Sequence, residues 1–237
     1  MFGHGHSPTM SATEHKTTER ERTLATDELA LAVVVVGMSA GGLSALRTIL
    51  STLRPFPAAA MVIAHHVGET SILPSLINAW TGLDARFASD EEPLCPGRVY
   101  VCPGLHHVIV KPDGTLGIPR RERVASVRPS IDWLFESAAG SFGNRTIAIL
   151  LSGANGDGSL GAACVAAAGG IVIVQDPRTC SHVEMPSLAI AAGTASYVSP
   201  PASIADILAA ELARVAVAYP NGWRAPFDEG AGATARG

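Results

Sequence analysis

Apolar residues in this chain occur as short unbroken runs and as stripes at helical spacing, and the order of the two sketches a fold. Val33 to Val36 are four consecutive β-branched residues, which predicts a strand buried on both faces. Gly37 opens a turn, Gly41 and Gly42 close it, and Leu43, Leu46, Ile49 and Leu50 then recur as one helical stripe. A second buried strand is predicted over 60–64. It ends in His65 and His66, and a helix follows with Leu73, Leu76, Ile77 and Trp80 at helical spacing and Pro74 in its first turn. Residues 81–98 are polar and read as turns. Val99 to Cys102 and His107 to Val110 predict short strands around Pro103-Gly104, a small β-hairpin excursion followed by a turn at Pro112-Asp113-Gly114.

The alternation then resumes. Ser130 is a good N-cap for a helix with Ile131, Leu134, Phe135 and Ala138 on one face. Thr146 to Leu151 predicts a strand that runs into the glycine-rich loop Ser152 to Gly158 and an Ala-rich helix over 160–168, stopped by Gly169-Gly170. A strand over 171–174 precedes a loop containing Cys180 to Pro186. A short helical stretch from Ser187, a weak strand near Tyr197-Val198 and a last helix from about Ser203 complete the pattern. Strands separated by helices need crossover connections, so the predicted class is α/β: a doubly wound, mainly parallel sheet flanked by helices, with the small β-hairpin excursion.

Composition narrows the picture. Residues 1–28 are polar and without periodicity, which predicts a disordered N-terminal tail; 220–237 reads as a flexible C-terminal tail, leaving 29–219 as one folded domain. A net charge of −4 gives no electrostatic footprint for nucleic acid or an anionic membrane. No apolar run approaches the roughly 20 residues of a membrane span, and the polar start lacks a signal-peptide core, so no membrane insertion and a cytoplasmic location are expected. Cys95, Cys102, Cys164 and Cys180 form no C-x-x-C pair, which points to reduced thiols rather than a zinc site. His4 and His6 alone would leave most of a metal's coordination sphere empty, so neither metal nor cofactor is expected.

Candidate chemistry lies in three loops at carboxyl ends of strands, where ligands bind in such sheets. Gly37-x-Ser39-x-Gly41 is a strand-to-helix turn that pushes a serine hydroxyl outward, with the first helical N–H groups beside it for a developing oxyanion. The same glycines also fit a phosphate-binding or dinucleotide-binding turn. Against that, a serine stands where backbone would approach a pyrophosphate, and the second strand ends in histidines rather than a ribose-gripping acid. His65 and His66 point to opposite sides, so at most one of them reaches the site, the other reading being a satisfied histidine at a strand end. Asp157, in the loop after a third strand, is either an orienting acid or a helix cap. Together these supply a nucleophile, a base and an anion, the set needed for ester or amide hydrolysis. His106 and His107 are read as structural residues on a β segment away from these loops, and Trp80, Trp133 and Phe135 as helix-face core.

Six segments in order carry a family resemblance: Gly37-Met38-Ser39-Ala40-Gly41-Gly42, Val62-Ile63-Ala64-His65-His66, Val99-Tyr100-Val101-Cys102-Pro103-Gly104, Arg128-Pro129-Ser130-Ile131-Asp132, Gly153-Ala154-Asn155-Gly156-Asp157-Gly158 and Met185-Pro186. Over about residues 31–215 the chain resembles the catalytic domain of chemotaxis protein-glutamate methylesterases. The resemblance implies hydrolysis of methyl esters on glutamates of methylated chemoreceptor cytoplasmic domains, releasing methanol, with deamidation of receptor glutamines as a companion activity. It also implies Ser39 as nucleophile, His66 as base and Asp157 as orienting acid. His65 stands where the family usually has glutamine, Ala40 where it has threonine and Ala154 where it has methionine, departures that bear on substrate contacts more than on chemistry. Family members commonly carry a receiver domain of about 100 residues or more, which 1–28 cannot form; a stand-alone catalytic domain, with any regulator acting in trans, is the expectation. The alternatives are an esterase or amidase on another substrate, and a non-catalytic receptor- or nucleotide-binding module.

Overall fold

The computed structural model describes residues 29–53, 56, 58–119 and 128–220. The tails expected at 1–28 and beyond 220, with His4 and His6, lie outside them.

A parallel seven-stranded sheet forms the centre. In chain order its strands are β1 (Ala32–Met38), β2 (Ala59–His65), β3 (Asp84–Phe87), β4 (Arg98–Val101), β7 (Thr146–Leu150), β8 (Ile171–Gln175) and β9 (Tyr197–Ser199). They lie side by side as β3-β4-β2-β1-β7-β8-β9. The run Val33–Val36 is buried because β1 is paired on both sides, with β2 through Val35↔Val62 and with β7 through Val35↔Ala148. Among the described residues six helices cover the two faces: α1 (Gly42–Thr52), α2 (Leu73–Trp80), α3 (Ile131–Phe142), α4 (Ser159–Ala167), α5 (Glu184–Ala191) and α6 (Pro201–Ala218). Successive strand residues point to opposite faces. Val34, Val36, Met61 and Ile63 therefore pack with Leu46, Ile49, Ile77 and Leu208 of α1, α2 and α6. Val33, Val35, Val62 and Leu150 pack with Ile131, Phe135, Val165 and Met185 of α3, α4 and α5.

Three expectations are corrected. Residues 81–98 contain the edge strand β3, parallel to β4; an edge strand with Asp84, Arg86 and Phe87 exposed carries no apolar run. The Val99–Cys102 strand is not part of the excursion, since β4 pairs with β2 inside the main sheet. Only β5 (Ile109–Val110) and β6 (Leu116–Gly117) form the antiparallel hairpin. Phe135 is core as expected, but Trp80 and Trp133 are half-buried, the first under the Arg47 guanidinium at 5.6 Å and the second in a tilted contact with the His107 ring at 5.1 Å between centroids.

Candidate active site

From β1 the chain crosses to β2 on one side and later returns to β7 on the other, which makes the β1/β7 boundary the point where strand order reverses, the place where such sheets bind ligands. Ser39 sits there. Its N–H donates to Ser152 O at 3.0 Å, tying the end of β1 to the chain leaving β7, and its carbonyl accepts from the Gly42 N–H at 3.0 Å. Gly41 adopts φ 81°, a left-handed conformation that favours glycine and lets α1 start at once. Gly153 passes so near that a Cβ on it would stand 2.9 Å from Ser39 Cβ and 1.8 Å from Met185 Sδ.

His66 lies beside Ser39 because β1 and β2 are in register. Met38 pairs with His65, and the His66 N–H donates to Met38 O at 3.1 Å. The imidazole Nε2 meets Asp157 Oδ2 at 2.8 Å, with only 10% and 9% of the two side chains exposed. Asn155 Nδ2 lies 3.4 Å from His66 Nδ1, and Asn155 Oδ1 accepts the Asp157 N–H at 3.1 Å. His65 goes the other way. It continues the face of Met61 and Ile63, and its buried Nδ1 meets no hydrogen-bond partner. Burial, and then the nearby His66, lowers its pKa from the ordinary 6.5. Among the described residues no hydrogen bond joins Ser39 Oγ to His66; in an unliganded site such a bond is often made only when substrate arrives.

Asp157 is held by more than the histidine. Its Oδ2 accepts from the Ile131 N–H at 2.7 Å and its Oδ1 from the Asp132 N–H at 3.0 Å, while Ser130 Oγ approaches Oδ1 at 3.4 Å. Asp157 therefore caps α3, a helix to which it does not belong. Asp132 returns the favour: its Oδ1 accepts the Gly158 and Gly161 N–H groups at the start of α4, both at 2.8 Å. Burial pushes the Asp157 carboxyl upward, but hydrogen bonds from His66 and from the Asp132 and Ile131 N–H groups, with the His66 charge, outweigh it and hold the pKa below 3.8. An ionised carboxylate only accepts, so the proton facing it belongs to His66 Nε2 and the lone pair is left on Nδ1.

The three loops singled out from the sequence thus bring His66 and Asp157 into contact with Ser39 alongside. His107 does not lie on a strand, nor far from the site: buried in the loop before β5, its Nδ1 accepts from the Ser130 N–H at 3.1 Å, one layer behind Asp157. Ser130 is the N-cap expected from the sequence, its Oγ accepting the Trp133 N–H at 3.2 Å; the supports supplied by Asp132, Ser152 and Asn155 have no individual sequence signal. All four cysteines are free, and no cluster of three or more His, Cys, Asp or Glu able to hold a metal occurs among the described residues. No described helix is long and apolar enough to cross a membrane.

Comparison with known proteins adds a family. The model of the CheB methylesterase family matches residues 34–208. A putative protein-glutamate methylesterase/protein-glutamine glutaminase of Leptospira interrogans is 37% identical over 180 residues, covering 73% of this chain and 91% of that protein. A protein-glutamate methylesterase/protein-glutamine glutaminase of Symbiobacterium thermophilum is 33% identical over 184 residues, covering 77% of this chain but only 51% of that one. The chain therefore spans nearly all of one relative and about half the length of another. The crystal structure of the Thermotoga maritima CheB methylesterase catalytic domain superimposes with a TM-score of 0.71 at 34% identity, covering 75% of this chain and 96% of that one.

Proposed function

The chain belongs to the CheB methylesterase family, and on that footing we propose that it is a serine hydrolase removing methyl esters from glutamate side chains of chemoreceptor cytoplasmic domains. The observation that carries the reading is the 2.8 Å pair of His66 Nε2 and Asp157 Oδ2 at the strand end beside Ser39. With Nε2 protonated and bonded to the acid, Nδ1 is the basic atom. Ser39 Oγ attacks the ester carbonyl as its proton passes to Nδ1. Methanol then leaves, carrying that proton, and an acyl-enzyme remains on Ser39. Water attacks the acyl carbon, gives its proton to Nδ1 and releases glutamate as Ser39 Oγ regains its proton, while Asp157 stays ionised throughout. The same steps with an amide release ammonia and account for deamidation of glutamine.

A protein substrate suits the surroundings. Ile72, Leu160, Val183 and Leu188 are large apolar side chains left exposed at or near the starts of α2, α4 and α5. Exposed apolar groups on helices that leave the carboxyl ends of strands fit contact with another protein surface better than with a small solute. The test is methanol release from membranes bearing methylated receptors, with Ser39→Ala as the comparison. Wild-type release abolished in a folded Ser39→Ala protein is expected; no release by wild type, or undiminished release by the variant, refutes the reading.

A further inference from the structure

Ser152 is wholly buried, takes no part in the steps above, and yet spends its hydroxyl on the nucleophile's own turn. Its Oγ accepts the His182 N–H at 3.0 Å and lies 2.8 Å from Ala40 O and 3.1 Å from His182 O. One hydroxyl has one proton, so it donates to one of these carbonyls at a time. His182 O already receives the Gly153 N–H at 3.1 Å. Ala40 O has no other partner among the described residues, which makes it the acceptor that depends on Ser152.

The consequence follows from peptide planarity. In a trans peptide unit the N–H points opposite to the C=O. The carbonyl of Ser39 is fixed by the Gly42 N–H, which turns the Ala40 N–H the other way. The carbonyl of Ala40 is fixed by Ser152, which does the same to the Gly41 N–H. Neither of these two N–H groups has a partner among the described residues, and consecutive N–H groups in a turn with a left-handed glycine form a concavity suited to negative charge.

We propose that Ser152 is a positioning residue for the reaction: by pinning Ala40 O it aims the Gly41 N–H, so that Ala40 and Gly41 together receive the oxyanion formed when Ser39 attacks. This rests on Ser39 being the nucleophile of an acyl-transfer reaction. The hole uses only backbone at position 40, so it needs nothing of the Ala40 side chain. Ser152 itself never touches substrate. Its hydroxyl ties the turn to the His182 loop, so the hole is rigid before substrate arrives, which is the condition for electrostatic stabilisation to cost nothing during reaction.

The experiment uses the full chain and p-nitrophenyl acetate, with the Ser39→Ala rate subtracted, so that it does not depend on receptor chemistry. Loss of an oxyanion donor costs about 10²–10³ in kcat; Ser152→Ala frees one without deleting it, so kcat falls at least about tenfold with KM unchanged. Affinity for phenylboronic acid, whose tetrahedral adduct on serine carries an oxyanion, falls by the same factor, and Ser152→Thr, which retains the hydroxyl, restores both. Unchanged kcat in Ser152→Ala, or a Thr variant as impaired as the Ala variant, overturns the proposal. If Ser152→Ala does not fold, Ser152→Cys, similar in shape and a weaker donor, decides in its place: a drop confined to kcat supports the assignment and an unchanged kcat overturns it. Failure of wild type to release methanol from receptors would sink the proposed substrate and leave this test standing.

Discussion

Replacing Asp157 by asparagine puts an amide nitrogen where the structure offers only donors. Both carboxylate oxygens accept backbone N–H groups, Oδ2 from Ile131 and Oδ1 from Asp132, so the new NH₂ faces an N–H whichever way the amide is turned. With the nitrogen beside His66, the imidazole must accept at Nε2, and its proton moves to Nδ1, the atom that should take the Ser39 proton. With the nitrogen beside Asp132, the tautomer survives but the charge that stabilises the imidazolium is gone. Either way kcat should fall by up to about 10⁴, or about 5.5 kcal/mol of transition-state stabilisation. Loss of a charge-assisted bond in a site this enclosed costs about 1.5–3 kcal/mol of stability. For a chain of this size that lowers Tm by about 3–12 °C. The carboxyl is held below 3.8, so its contribution is fully present above that pH and is lost as pH falls through the folded value; the Tm gap between the two proteins should shrink on acidification below 3.8. Methanol release and thermal unfolding measured over that pH range check both halves. A variant that keeps turnover within about tenfold of wild type would refute the orienting role, because a lost charge or a wrong tautomer costs far more than that.

Three further outcomes are expected. His65→Gln should turn over near the wild-type rate whereas His66→Gln should not, measured by the same methanol assay; equal loss in both would mean that the bond to Asp157 does not select the base. Because burial depresses His65, its folded form gives full stability above pH 6.5 and loses it as pH falls below that value until the folded group takes its proton; His65→Gln should flatten that decline in thermal unfolding, and an unchanged profile would count against it. Gly153→Ala should lower Tm by the equivalent of about 1–3 kcal/mol of overpacking and depress kcat, since its methyl would press on both Met185 and Ser39; a wild-type kcat would show that the turn shifts freely.

The parts of this fold legible in the sequence are those whose signal is local. Val33 to Val36 can only be a doubly covered strand, and a serine among glycines at its end can only be a turn. Edge strand β3 is hidden because half-exposed residues need no apolar run, and the place of β4 is not legible because a sequence does not state which strand a short apolar segment pairs with. At the site, Ser39 and His66 are visible as residues at strand ends. What holds the Asp157 carboxylate is not, because its partners Ser130, Ile131 and Asp132 lie 25–27 residues earlier in the chain. From sequence Asp132 is an ordinary first-turn acid, and Ser152 is the first letter of a glycine-rich loop. Their roles exist only once β7 has been laid beside β1.

The crossed caps of α3 and α4 bind catalytic competence to a local folding equilibrium. Each helix start is satisfied by a carboxylate from the other's first turn or entry, so neither can fray without stripping hydrogen bonds from its neighbour, and an opening at the α4 start frees the loop that holds Asp157 against His66. Amide exchange at Ile131, Asp132, Gly158 and Gly161 should therefore occur in one cooperative opening event rather than four. In mild denaturant, activity should decay with that opening, ahead of the unfolding of the β1–β2–β7 centre. Loss of turnover should in this sense report a loosening of the two helix starts before the sheet itself gives way.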